Sequence, residues 1–249
     1  MAAIDLHIHS ALSPCGDNEM APPAVLLTAE RRGLATVGIV DHSSAGNAEA
    51  FFAAAQAFDV QVLAGLEIES AEGVHLLALF DNPEAARSME ELIATHQPRA
   101  CNRPDVVGAQ RLLDEYGEVL GEEERLLIAA ADLTVEQIVA ATHEREGLSL
   151  AAHIDRRSNG LLPTLGFIPP RLAVDLFEVS RHLSFEEACR RWPELVGRPL
   201  IRGSDAHYLH EIGRTAAEVS ESLARPFAPL REWGRQLAAA LVTRGLSGL

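Results

Sequence analysis

The sequence predicts a parallel α/β barrel, and three observations carry that prediction. Apolar, strand-like runs alternate with helical stretches along most of the chain, the pattern of βαβ units. Asp5-Leu6-His7-Ile8-His9 near one end is answered by Ser204-Asp205-Ala206-His207 near the other. Alternate residues of an extended chain point to one side, so Asp5, His7 and His9 share a face, as do Asp205 and His207. Two imidazole-and-carboxylate groups so far apart in sequence suggest a closed barrel whose first and last strands meet. Finally, His7, His9, His42, His153 and His207 all fall at or just beyond the C-terminal ends of expected strands, the face where functional side chains of such barrels converge.

The elements follow in order. Ile4 to His9 reads as a short buried strand. Ala21-Pro22-Pro23 opens a helix ending near Arg32-Gly33, with proline in the first turn and glycine past the end. Ala35 to Asp41 is a second apolar strand, Ala48 to Ala57 an alanine-rich helix, and Val60 to Glu69 a third strand. Val74 to Phe80 follows so closely that it reads as that strand's near neighbour. Between about 81 and 147 the character changes, and the segment reads as a mainly helical insertion or lid. Its expected helices are Pro83 to His96, Asp105 to Tyr116 and Thr134 to Glu146, with turns at Tyr116-Gly117 and Leu120-Gly121. Strands resume at Leu148 to Asp155, Val174 to Val179 and Leu200 to Ser204. Phe227 to Arg244 closes as an amphipathic helix carrying Trp233, Leu237 and Leu241 on one face.

At 249 residues, with 47% hydrophobic and 23% charged, the chain fits one domain, 1–249, with ample core. Thirty-six acidic residues face 21 basic ones, a net charge of −15. That balance leads us to expect no extended nucleic-acid surface, which would need clustered cations, while leaving room for a small phosphorylated substrate held through bound cations. All of the positive charge is arginine, the residue suited to forked grip on phosphate. Three scattered cysteines make no disulfide framework, and no apolar run is long enough for a membrane span. A cytoplasmic location is expected.

Glu67 ends the third strand within Gly65-Leu66-Glu67-Ile68-Glu69, Asp205 follows the last, and His75 opens the fourth only a short turn after Glu67. Mixed imidazole and carboxylate donors suit Zn, Mn or Fe better than Mg or Ca. A donor set this large suggests on the order of two or three divalent ions, with a carboxylate such as Glu67 bridging. His96, His143, His182 and His210 are expected in solvent or loops, and Cys101 and Cys189 as ordinary thiols.

Together these segments resemble the polymerase and histidinol phosphatase (PHP) family. The pieces are Asp-Leu-His-Ile-His-Ser at 5–10, Asp41-His42-Ser43, Gly-Leu-Glu-Ile-Glu at 65–69, Val-His-Leu-Leu-Ala at 74–78, Ala-His-Ile-Asp at 152–155 and Ser-Asp-Ala-His at 204–207. They stand in the family's order. The resemblance implies a distorted, TIM-like (β/α)7 barrel with a trinuclear zinc, manganese or iron site. Its implied ligands are His7, His9, His42, Glu67, His75, His153, Asp205 and His207. The family's ninth ligand, a His or Asp, falls within Ser13-Pro14-Cys15-Gly16-Asp17; Cys15 fits the histidine register, and Asp17 is the alternative.

The expected chemistry is phosphoester hydrolysis of a small metabolite or nucleotide, most simply a phosphomonoester, with a phosphodiester as the alternative. Arg156 and Arg157 follow His153-Ile154-Asp155 and could grip phosphate, with Arg202 and Arg103 as further candidates; Asp155 could protonate the leaving group. Two other readings stand beside it: a non-catalytic, regulatory PHP module with a protein partner, and hydrolysis of a C–N bond. Amidohydrolases commonly add a carboxylated lysine, and this chain has none.

Overall fold

The computed structural model describes residues 1–246. In chain order the elements are β1 (Ala2–Ile8), α1 (Pro22–Arg31), β2 (Leu34–His42), α2 (Ala48–Ala55), β3 (Gln61–Glu69), β4 (His75–Phe80), α3 (Pro83–His96), β5 (Arg111–Leu113), β6 (Val119–Glu122), α4 (Val135–Glu144), β7 (Leu148–Ala151), α5 (Leu161–Leu165), β8 (Leu176–Glu178), α6 (Phe185–Arg191), β9 (Leu200–Ile201), β10 (Ala217–Val219) and α7 (Leu230–Leu246). An eight-stranded sheet runs β10-β1-β2-β3-β4-β7-β8-β9 and curls into a nearly closed barrel. Its seam lies between β1 and the chain just past β9. There Ile8 bridges Ala206 in parallel, and His9 N donates to Ala206 O at 2.9 Å. Buried Asp5 reinforces the seam by accepting from Ser204 N at 3.0 Å and Gly213 N at 2.8 Å. It faces the closing loop as a clamp, and the sequence motif's metal-facing members are the histidines beyond it.

The barrel is mixed, as the proximity of the third and fourth strands suggested. β4 runs antiparallel to both β3 and β7, because the few residues after Glu69 cannot make the crossover a parallel pair needs. Gly73, at φ 81°, supplies the left-handed turn. This reversal sets Glu69 opposite His75. It thereby puts the first residue of β4 at the same barrel end as the last residues of β3 and β7.

Inward-facing Ile4, Leu63, Leu77, Leu148 and Leu176 pack with Leu230, Trp233 and Leu237 of α7 in one buried cluster. The last helix therefore stops the barrel at the end opposite the histidines. Trp233 is fully buried, and its Nε1 donates to Leu223 O at 3.1 Å. The other helices cover the outside through two further clusters.

α3 and α4 lie where the sequence placed them. α3 is capped by Asn82, and α4 begins in a reciprocal Thr134–Gln137 capping box. The expected helix over Asp105 to Tyr116 is corrected: that stretch is a turn followed by β5, which pairs antiparallel with β6. Leu120-Gly121, read as a turn, lies inside β6. The hairpin docks on the barrel's histidine end. Arg111 N donates to Ala11 O at 2.9 Å, and the Asn47 amide bonds both Arg111 O and Leu113 N, at 3.1 and 2.9 Å. Gly108 (φ 117°) passes so close to Pro14 that an added Cβ would lie 1.9 Å from its carbonyl oxygen. Short helices α5 and α6 and the edge strand β10 were not anticipated. Among the described residues, no helix is long and apolar enough to cross a membrane.

Candidate metal centre

Glu67 is the hub of the site. Its Oε1 lies 2.8 Å from His75 Nδ1, 2.9 Å from His153 Nε2 and 3.5 Å from His7 Nε2. Its Oε2 lies 3.2 Å from His42 Nδ1 and 3.4 Å from His9 Nε2. Asp205 Oδ1 stands 3.4 Å from Nε2 of both His7 and His9. Three overlapping triplets have ligand atoms mutually within 4.8 Å: His7–His9–Glu67, Glu67–His75–His153 and His9–His42–His207. Strands widely separated in sequence thus deliver all eight of the expected ligands to one place.

The donor set fits divalent cations on structural grounds. His7 Nε2, His9 Nε2 and His153 Nδ1 are buried and have no hydrogen-bond partner, a costly state for a polar atom unless an ion occupies its lone pair. The groups behind the rings fix which nitrogen is free. Glu178, buried, accepts from His7 Nδ1 at 3.0 Å and from the His153 backbone N at 3.2 Å. Ser13 Oγ accepts from His9 Nδ1 at 2.8 Å and donates to Asp41 Oδ1 at 2.6 Å. Carboxylates placed behind ligating imidazoles hold tautomer and ring orientation. Glu178 and Ser13 were missed in the sequence; the available signal was a lone acid closing an otherwise apolar strand.

The electrostatics favour charged acids and divide the imidazoles: burial opposes charge on His7, but Glu178, Asp205 and Glu67 raise it well above the ordinary histidine range. Burial opposes ionisation of Glu67, yet His75, His7 and the hydrogen bond from His153 hold it well below the usual carboxylate range. Asp205 is likewise lowered: burial opposes this, and His7 and His9 prevail. Burial and neighbouring imidazoles push His9 down to about 4 and His42 to about 3, keeping their lone pairs at neutral pH. Burial also works against charge on His75, but Glu67 raises it to about 9. Burial followed by the Glu67 charge pushes the Cys15 thiol up to about 12, so its thiolate needs a cation beside it. His153, Asp205 and Ser43 take positive φ, at 28°, 51° and 46°, strain of the kind concentrated at functional sites.

A cavity of about 310 Å³ opens beside the cluster, walled by Cys15, Arg156, Arg181, His182, Tyr208 and Glu211 among others. Arg156 lies where expected, at this mouth, and pairs with Asp205. Arg181 was not anticipated; it is steadied by Glu211 at 3.0 Å, and His182, expected in solvent, lies next to it. Arg157 is exposed and does not line the cavity. Arg103 pairs with Asp105 at 3.1 Å in the solvent. Arg202 is committed to Ser180 O and Leu183 O, at 3.3 and 2.6 Å, and lies over Phe185. Both Asp155 oxygens are held by Ser180, at 2.7 and 2.6 Å, which makes it a loop anchor. Cys15 Sγ reaches His42 Nε2 at 3.3 Å. Asp17 instead accepts from Glu19 N at 2.8 Å, capping its own turn.

A family model described as the PHP domain matches residues 5–156. The chain belongs to the PHP family. No curated protein matches it. Solved structures of the same fold match at low identity. Endonuclease Q from Pyrococcus furiosus superposes with a TM-score of 0.61 at 19% identity, over 86% of this chain and 50% of that one. A protein from Bifidobacterium adolescentis assigned as a metal-dependent phosphoesterase gives 0.61 at 18%, over 86% and 92%. An amidohydrolase from Chromobacterium violaceum gives 0.59 at 20%, over 88% and 93%. At these identities the likeness is one of fold, and the chain spans about half the length of endonuclease Q.

One expectation is overturned. Net charge led to a small-molecule partner and no extended nucleic-acid surface, yet endonuclease Q has also been solved with a 27-mer duplex carrying an abasic lesion at its active site. A barrel of this fold can therefore take a nucleic-acid substrate. The field at such a site is set by bound cations and local arginines, so a global excess of acid does not decide the substrate.

Proposed function

We propose that this PHP protein is a metal-dependent phosphoester hydrolase whose reacting group is a phosphomonoester, carried by a small metabolite, a nucleotide or a nucleic-acid end. The carrying observation is the Glu67 hub, ringed by five imidazoles, with three buried ring nitrogens that have no partner. In this reading Glu67 would be shared among the ions, His7, His9 and Asp205 would hold one, His75 and His153 a second, and Cys15, His42 and His207 a third, making nine ligands. Ions so held would supply an activated water and neutralise the nonbridging oxygens of phosphorus.

The protein's own groups do the rest. Arg156 and Arg181, on the cavity wall, orient the phosphate and offset its charge. Glu178 keeps the proton on His7 Nδ1, and Ser13 with Asp41 keeps it on His9 Nδ1, so each Nε2 stays free. Asp155 is occupied by Ser180, and the leaving-group proton is not assigned to it. The hydrolysis of a C–N bond has less support, because no lysine is available for the carboxylated ligand common in amidohydrolases.

The test is phosphate release by Zn- or Mn-loaded protein from a panel of phosphomonoesters, nucleotides, 5′- and 3′-phosphorylated oligonucleotides and abasic duplexes. His9→Ala should abolish both turnover and bound metal. Cleavage of internal phosphodiesters alone would replace the monoester reading with a nuclease one. Silence across the panel at full metal occupancy, with a stable stoichiometric partner, would favour the regulatory module.

A further inference from the structure

The donors of the cluster are unevenly distributed. Around Glu67 and Asp205, each triplet that includes a carboxylate mixes oxygen with imidazole. At the opposite edge, His9, His42 and His207 form a triplet with no carboxylate; the His9 ring lies 4.2 Å from that of His207 and 4.8 Å from that of His42. His42 stands between the two chemistries. Its Nδ1 faces Glu67 Oε2 at 3.2 Å, and its Nε2 faces Cys15 Sγ at 3.3 Å. Bonds of about 2.3 Å to sulfur and about 2.0 Å to nitrogen at a tetrahedral ion would separate two such ligands by roughly 3.6 Å. The observed spacing is thus within a few tenths of an ångström of a shared-ion geometry. The fully buried His9, placed above on the neighbouring ion, has an Nε2 with no partner, and it also offers a ligand atom within 4.8 Å of those of His42 and His207.

The thiol is also held in place. Gly16 N donates to Ser13 O at 2.8 Å, and a Cβ on Gly16 would lie 2.4 Å from Ser10 O. The hairpin presses on Pro14 from the other side through Gly108. This turn presents Cys15 to the cavity and leaves Asp17 engaged elsewhere.

We propose that Cys15, His42 and His207 form a thiolate–imidazole position that selects a thiophilic ion such as Zn²⁺, Fe²⁺ or Co²⁺, whereas the carboxylate-containing positions also accept Mn²⁺. The selectivity follows from ligand softness and rests on the metal-binding reading above. Its consequence is a mixed centre, in which manganese alone leaves the Cys15 position weakly filled.

Cobalt reports the thiolate directly. Titrating the intact protein with Co²⁺ should give visible ligand-field bands together with a near-ultraviolet sulfur-to-cobalt charge-transfer band. Cys15→Ser should lose the second and keep the first. By competition with a chelator, Cys15→Ser should weaken Zn²⁺ binding at least tenfold and leave Mn²⁺ affinity unchanged. Cobalt bound with ligand-field bands but no charge-transfer band overturns the thiolate and leaves the metal centre standing. Equal Zn²⁺ affinity in the unaltered protein and in Cys15→Ser also overturns it. No cobalt uptake at all overturns the metal centre and this inference together.

Discussion

His7 and His9 sit side by side on one face of β1, and each is held by a different device. Glu178 from β8 bonds His7 directly at 3.0 Å, while Asp41 from β2 reaches His9 only through Ser13. Space for the first device is made by Gly203, where a Cβ would lie 2.5 Å from Glu178 Oε2 and 2.9 Å from the His7 Cβ. Glu178→Ala should therefore weaken metal binding about 10- to 100-fold, measured by competition with a chelator, and Glu178→Gln should recover part of it by keeping an acceptor. Unchanged affinity in the alanine variant would mean that Glu178 only fills space. At this scale the convergent side chains were legible because histidines at strand ends are rare in combination. The residues behind them were not, since a serine or a buried acid carries no positional signature until the strands that face it are known.

Among the elements, α7 and the β5–β6 hairpin show opposite outcomes. The spacing of Trp233, Leu237 and Leu241 marked one buried helical face, and all three are buried. Trp233 packs against barrel residues at the end remote from the metal centre, so Trp233→Ala should cost about 3–5 kcal/mol. Chemical denaturation would show this, with metal content per folded molecule unchanged. A loss under about 1 kcal/mol would show that the helix is not the barrel's stopper. The hairpin escaped notice because Asp105 to Tyr116 has helix-compatible composition. Its strand conformation is imposed by partners outside it, Ala11 and Asn47, which take up backbone groups of Arg111 and Leu113. Propensity is a weak guide where tertiary partners satisfy the backbone.

On the scale of the molecule, the end remote from the histidine cluster is tied together by Asp175. It accepts from Ser149 N at 2.8 Å and pairs with His143 at 2.9 Å and Arg231 at 3.1 Å, joining α4, β7 and α7. Burial opposes its charge, but the His143 and Ser149 hydrogen bonds and the Arg231 charge lower its pKa below the ordinary 3.8. A depressed folded-state pKa means that this stabilisation is complete above the unfolded-state value and is lost as pH falls through the folded one. Asp175→Asn should therefore destabilise the protein at pH 7 by on the order of 1–2 kcal/mol, with the difference shrinking toward pH 3. Urea unfolding across that range tests it, and a pH-independent difference would remove Asp175 from the acid response.

The linear chain by itself pointed to the barrel class, the family and eight side chains that the fold brings together, because strand alternation and strand-end histidines are local patterns that survive without coordinates. Folding decided what those patterns leave open. The reversal of β4 delivers His75 to Glu67, a tight turn offers Cys15 and withholds Asp17, and Ser180 holds Asp155 while Arg181 reaches the cavity. Each of these depends on which backbone passes within hydrogen-bonding distance of which side chain, a property of contacts between distant segments that residue spacing alone does not contain.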